Sequence, residues 1–258
     1  MTKEEVFNAY VNHYDVSDGK VRLKIVHTYH VMALAKKIAQ RLHLSQEDIE
    51  LAELIGLLHD IGRFEQLRKY NDFRDYLTED HAELSVKVLK ENNLIRQFRP
   101  DPRDDDIIFA AIANHNKLSV EEGLNERQLL HAGIIRDADK TDIYRVRVED
   151  AVSDVLPCTQ EEVENSLITP AVYETFMQGK CIPGDIRKLP LDYWVSGLAM
   201  VFDYNYLPSL EILKESNLLQ KNFERFHYNP QAEKQMETIL LKAQSFVDDK
   251  IQELAHMQ

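Results

Sequence analysis

The sequence predicts an all-α protein, on three observations. Glycine and proline are scarce, at 8 each in 258 residues. Apolar residues recur mainly at helical spacing, i, i+3, i+4 and i+7. The apolar share of 44% is ample for a sizeable core. The chain carries a net charge of −13, which argues against a general nucleic-acid or anionic-membrane surface, since both are polyanions. No apolar run approaches the roughly 20 residues of a membrane span, and the start, MTKEEVFNAY, lacks the apolar centre of a signal peptide. The expectation is a cytoplasmic protein. Cys158 and Cys181 stand outside any C-x-x-C arrangement, against a disulfide framework or a thiolate metal site.

The first strongly patterned segment is residues 26–42, VHTYHVMALAKKIAQRL, in which Val31, Leu34, Ala35, Ile38 and Leu42 mark one buried stripe. His27 falls on that stripe and His30 lies to its side. The next, Leu51 to Leu58, is apolar on nearly every side and runs into His59 and Asp60. Such a helix finishes inside the protein, where a charge needs a partner. Gly62 stands where a left-handed residue would stop the helix, which puts His59-Asp60 in its last turn.

Further along, Asp80 followed by Glu83 has the pattern of a capping box opening a helix on which His81, Leu84, Ser85 and Val88 share a face. In DIIFAAIANHNK, Ile108, Ala111, Ile112 and His115 follow the same rule. His27, His59, His81 and His115 thus sit on separate apolar faces. One inward histidine is ordinarily a satisfied core residue; four would each need a buried partner, whereas a shared cation satisfies them together. A carboxylate to complete such a site lies in IIRDADKTDIYR, where Asp137, Asp139 and Asp142 crowd a helix also bearing Ile134, Ile135 and Ala138. Periodicity does not choose among the three.

Loops are expected at residues 15–20, 92–106, 116–126 and 156–191, the last holding Pro157, Pro170, Pro183 and Pro190. That stretch marks the expected division between a helical bundle at 1–155 and a C-terminal helical extension at 156–258 packed on it. In the extension, the aromatic run with Trp194, Phe202, Tyr204 and Tyr206 reads as core before it reads as a base-stacking wall. The tail from Ala232 to Gln258 reads as one amphipathic helix, covered either by its own domain or by a second subunit in a homodimer.

The order His27, His59-Asp60, His81, His115, with DADK at 137–140, resembles the HD-domain superfamily of metal-dependent phosphohydrolases, and HDIGRFEQ, DHAEL, NHNK and IIRDADK look like its bacterial branch. The resemblance covers roughly residues 20–150. It implies a phosphodiesterase-like helical bundle with the metal held between helices, and selects Asp139, the aspartate before lysine, as the carboxylate ligand. It implies His27, His59, Asp60 and Asp139 around one divalent ion, with His81 and His115 matching the extra ligands of members that hold two or more. The sequence departs from the cyclic-dinucleotide branch at Asn116, where a second consecutive histidine is usual, and in having no G-Y-P after it.

Imidazole and carboxylate donors without thiolate suit Mn, Fe, Co, Ni or Zn, with Mg also open. One divalent ion leaves the first four ligands near neutral, and a second raises the cluster to about +2, enough to attract phosphate in an acidic protein. The expected reaction is hydrolysis of a nucleotide or similar small phosphate ester by water acidified at the metal, with Asp60 bridging or orienting that water. Arg63 stands where the related HDIGK form has lysine, and is the expected clamp on phosphate oxygens. Lys117 and Lys140 are further candidates for phosphate contact, against the ordinary reading of solvated lysines. The alternative is a metal-containing nucleotide-binding regulatory module without turnover.

Overall fold

A computed structural model describes residues 1–256, the side chain of Asn92 excepted. The protein is 73% helical, with no strand among the described residues, so the all-α expectation holds. No helix among them is long and apolar enough to cross a membrane. The chain forms two compact units, Met1–Asp142 and Ile143–Gln258.

The first unit contains α1 (Lys3–Val11), α2 (Gly19–Arg41), α3 (Gln46–Leu58), α4 (Gly62–Tyr70), α5 (His81–Lys90), α6 (Ile95–Phe98), α7 (Asp105–Asn114) and most of α8 (Glu126–Glu149). Helix starts are set by side chains that satisfy orphan backbone N–H groups. Asp18 caps α2, Ser45 caps α3 and Asp80 caps α5. The Asp80 carboxylate accepts from the N–H groups of Ala82 and Glu83.

The all-round apolar segment is α3, with Leu51, Ala52, Leu54, Ile55, Leu57 and Leu58 all buried. It lies tightly along α2. A Cβ on Gly56 would come within 2.8 Å of Met32 Cα, so only glycine lets the two backbones approach this closely. That contact brings His27 of α2 beside His59, the C-cap of α3, with ring centroids 5.4 Å apart.

Gly62 is not a left-handed stop. It opens α4, and its backbone lies so near α5 that a Cβ would sit 2.5 Å from Ser85 N. Its N–H donates to Ser85 Oγ at 2.9 Å, and Ser85 Oγ donates to the His81 carbonyl at 2.8 Å. The glycine therefore serves a helix-to-helix contact that joins the His59-Asp60 turn to the start of α5.

The second unit contains the end of α8, α9 (Val152–Val155), α10 (Gln160–Glu164), α11 (Pro170–Met177), α12 (Pro190–Leu198), α13 (Leu207–Glu215), α14 (Leu218–Phe223) and α15 (Pro230–Ala255). Residues 156–191 are more helical than their prolines suggest, because Pro170 and Pro190 each occupy the first position of a helix. There the missing N–H costs nothing and the fixed φ is already helical. Trp194 is fully buried in this unit's core, with Phe202 and Tyr204 packed against the same cluster. The tail helix buries Ala232, Met236, Ile239, Leu240, Ala243 and Val247 in that core; residues 257 and 258 lie outside the described chain.

Candidate metal centre

The inward histidines predicted from helical spacing meet. His27, His59, His81 and His115 are all buried, while His30 of α2 is 49% exposed in its side chain. His59 and His115 are the C-caps of α3 and α7, and His81 is the first residue of α5. Ring centroids lie 5.1 Å apart for His59 and His115 and 4.8 Å apart for His81 and His115.

Each ring is oriented through Nδ1. His27 Nδ1 donates to Asp142 Oδ2 at 2.7 Å and His81 Nδ1 to Asp75 Oδ2 at 2.5 Å. His59 Nδ1 donates to the Gly56 carbonyl at 2.8 Å and His115 Nδ1 to the Ile112 carbonyl at 2.7 Å. These bonds fix the tautomer, so each Nε2 carries its lone pair inward.

Two carboxylates meet those lone pairs. Asp60 divides its oxygens between two sides: Oδ2 lies 3.7 Å from His27 Nε2 and 3.6 Å from His59 Nε2. Oδ1 lies 3.5 Å from His81 Nε2 and 3.7 Å from His115 Nε2. Asp139 Oδ1 is 3.0 Å from His27 Nε2 and 3.7 Å from His59 Nε2. Asp142, three residues further along α8, orients His27 from behind, and Asp137 is fully buried.

These donors fit a divalent cation. His27 Nε2, His59 Nε2 and Asp60 Oδ1 are buried without a hydrogen-bond partner, and a group left in that state costs on the order of 1–3 kcal/mol. The short His27 Nε2–Asp139 approach lacks hydrogen-bond alignment. His81 Nε2 and His115 Nε2 face each other at 2.9 Å. With both Nδ1 atoms donating, two lone pairs oppose each other there unless a positive charge lies between them. His27, His59 and Asp139, and separately His59, Asp60 and His115, place ligand atoms within 4.8 Å of one another.

The protonation states agree with that fit. Burial pushes the His59 pKa down, and burial together with the Arg63 charge pushes His81 down to about 4, so both rings are neutral ligands at pH 7. Burial and Lys24 oppose protonation of His27, but the carboxylates of Asp139 and Asp142 outweigh them and raise its pKa. That position is built to hold positive charge. Against the effect of burial, Lys24 and His59 hold Asp60, and His27 and His59 hold Asp139, well below the usual carboxylate range.

Arg63 lies 3.7 Å through Nε from Asp60 Oδ1, and its Nη1 donates to Gln66 Oε1, the Phe73 carbonyl and Asp75 Oδ1. Its Nε is buried and makes no hydrogen bond. Lys117 Nζ pairs with Glu121, and Lys140 is a buried residue of α8.

Two residues that the sequence reading passed over complete the surroundings. Lys24 Nζ donates to Asp60 Oδ2 at 2.7 Å; it precedes His27 by one helical turn, a spacing that could have revealed it. Asp75 sits in a short 3-10 turn between α4 and α5, and no periodicity points to it.

No curated protein and no solved structure matches the chain significantly. Residues 25–144 match the family model of the HD domain, a span that includes all four inward histidines, Asp60 and Asp139. HD domains are in general metal-dependent hydrolases, and the geometry of this centre suits that chemistry. The chain thus contains an HD domain at residues 25–144.

Proposed function

We propose that this protein is a metal-dependent phosphohydrolase acting on a nucleotide or similar small phosphate ester. One observation carries the reading: four Nδ1-anchored imidazoles turn their Nε2 atoms toward Asp60 and Asp139 in a buried space. His27, His59, Asp60 and Asp139 would hold one divalent ion, and His81, His115 and the second Asp60 oxygen another. Mn, Fe, Co, Ni, Zn and Mg all remain compatible with such donors. When bound, the metal supplies Lewis acidity, which lowers the pKa of water toward neutrality and draws charge from a phosphoryl oxygen.

The chain's own residues do the rest. Asp60 and Asp139 stay ionised at any working pH and are held in place by their histidine neighbours. Lys24 and Arg63 set positive charge on the two oxygens of Asp60 and both approach the Phe73 ring, at 5.3 and 5.4 Å from its centroid. Arg63 Nε makes no hydrogen bond, although it lies 3.7 Å from Asp60 Oδ1, so the guanidinium keeps donor capacity for a phosphate oxygen. Lys24, held on Asp60 Oδ2 at 2.7 Å, would offer its ammonium to the same anion. Lys24 and Arg63 both lie against Asp60, whereas Lys117 pairs with Glu121, which favours the first two for phosphate contact.

The test is metal quantitation on purified protein, followed by a screen over mononucleotides, cyclic nucleotides and generic phosphate esters. Wild-type protein should carry divalent metal and turn over at least one class, while His59→Ala and Asp60→Ala should lose both properties and keep their helical circular dichroism. Full activity in either variant overturns the proposal. Metal-replete protein that binds a nucleotide and never hydrolyses it would identify a regulatory module instead.

A further inference from the structure

Asp75 lies outside the metal-facing set, yet it touches both halves of the proposed machinery. Its Oδ2 accepts from His81 Nδ1 at 2.5 Å, and its Oδ1 accepts from Arg63 Nη1 at 3.0 Å. Gln66 Nε2 donates to the same Oδ1 at 3.0 Å, and Asn116 Nδ2 approaches Oδ2 at 3.5 Å. One carboxylate therefore anchors an imidazole on the second ion side and the guanidinium that faces Asp60. We propose that Asp75 is a positioning residue that couples filling of the His81–His115 ion position to the grip of Arg63 on phosphate. The inference rests on the two-ion phosphohydrolase reading above.

His81 Nε2 faces His115 Nε2 at 2.9 Å while His81 Nδ1 already holds Asp75 Oδ2 at 2.5 Å. A cation at Nε2 would remove the opposition of the two lone pairs and make Nδ1–H a stronger donor to Asp75. A fixed Asp75 then fixes Arg63, because Asp75 Oδ1 accepts from the same Nη1 as the Phe73 carbonyl, with Nε lying 3.7 Å from Asp60 Oδ1. Coupling of two binding events through a shared group is reciprocal. Phosphate held by Arg63 therefore strengthens retention of the ion beside His81.

Asp75 has a side chain about one-third exposed, in a surface turn, so its replacement opens no cavity in the core. The experiment uses the full chain, stripped with chelator and titrated first with Mn²⁺ and then, at saturating Mn²⁺, with inorganic phosphate. Wild-type protein should take two Mn²⁺ per chain. Asp75→Asn should keep the first and bind the second about 10–100-fold more weakly, the usual scale for losing an outer partner of a metal-bound histidine. At saturating Mn²⁺, Asp75→Asn and Arg63→Met should each weaken phosphate binding, and the double variant should be no weaker than Arg63→Met alone. Thr78→Ala, which loses the side-chain bonds from Gln66 and to the Arg74 carbonyl in the same turn but none to Asp75 or Arg63, should leave both affinities at wild-type values. A wild-type second-ion affinity in Asp75→Asn, or additive losses in the double variant, overturns the coupling. If wild-type protein takes up no Mn²⁺, the phosphohydrolase reading itself fails, and the two failures are thereby told apart.

Discussion

Replacing Asp142 by asparagine separates the charge behind His27 from the shape around it. The carboxylate accepts from His27 Nδ1 at 2.7 Å, and an amide oxygen can accept there too, so the ring stays oriented while the charge is lost. Hydrogen bonds to charged groups contribute about 1.5–3 kcal/mol and neutral ones about 0.5–1.5 kcal/mol, a difference between midpoints of about 1.3 kcal/mol. That is about tenfold in affinity. His27 Nε2 becomes a poorer donor to the cation, and Mn²⁺ affinity measured against a competing chelator should fall by about that factor. Asp142→Leu removes the acceptor altogether and should approach the upper end of such losses, about 100-fold. His30 contacts the other Asp142 oxygen at 3.3 Å from an exposed position, so His30→Ala should leave metal affinity unchanged. Excess metal should restore kcat in Asp142→Asn, because no group acting on phosphate is altered. Unchanged Mn²⁺ affinity in a folded Asp142→Leu protein would refute the reasoning.

Other consequences are open to direct measurement. Chelation should lower the melting temperature by about 5–10 °C, since an ion at 100 times its Kd stabilises by about 2.7 kcal/mol, and His59→Ala should melt at the same temperature with or without chelator. Gly62→Ala should cost about 3 kcal/mol in denaturant unfolding, because its Cβ meets the Ser85 backbone, which has no room to yield. Asp48 has a pKa held at about 2; burial opposes this, and bonds from Arg127, Ser45 and His131 outweigh it. A depressed carboxylate pKa gives stability that is present above about pH 4 and is lost as pH falls toward 2, so Asp48→Asn should flatten the acid limb of the stability profile in that window. Arg147 stacks on Trp194 at 3.9 Å and donates to its carbonyl at 2.6 Å. Arg147→Met should lower the unfolding midpoint followed by the fluorescence of this single tryptophan.

The inward direction of His27, His59, His81 and His115 was legible because helical spacing fixes which face a residue occupies, and those faces were apolar. The carboxylates were less so. Asp137 and Asp142 are as buried as any core residue, and Asp139 retains 14% side-chain exposure, so burial patterning ranks them in the wrong order for meeting the His27 and His59 Nε2 atoms. Only the resemblance to HD domains selected Asp139. Asp75 left no trace because its turn has no period to read, and its role arises from contacts with residues of α4, α5 and the segment after α7. Gly62 misled for a different reason. A glycine after an apolar helix is consistent with a stop, and its actual constraint, the approach of α5, comes from a segment more than twenty residues away in sequence. Pro170 and Pro190 suggested loops because a breaker inside a helix and a starter at its first turn look alike without the flanking geometry.

Because Asp60 turns one oxygen toward His27 and His59 and the other toward His81 and His115, the spacing between the two sides of the centre is governed by the bond lengths and angle of a single carboxyl group. Helices can drift through mutation by tenths of an ångström, and side-chain rotamers can adjust, but that span is covalent. Glutamate would reach further along its own direction without widening it. The offset between the two histidine pairs that Asp60 meets is thus tied to the chemistry of one amino acid.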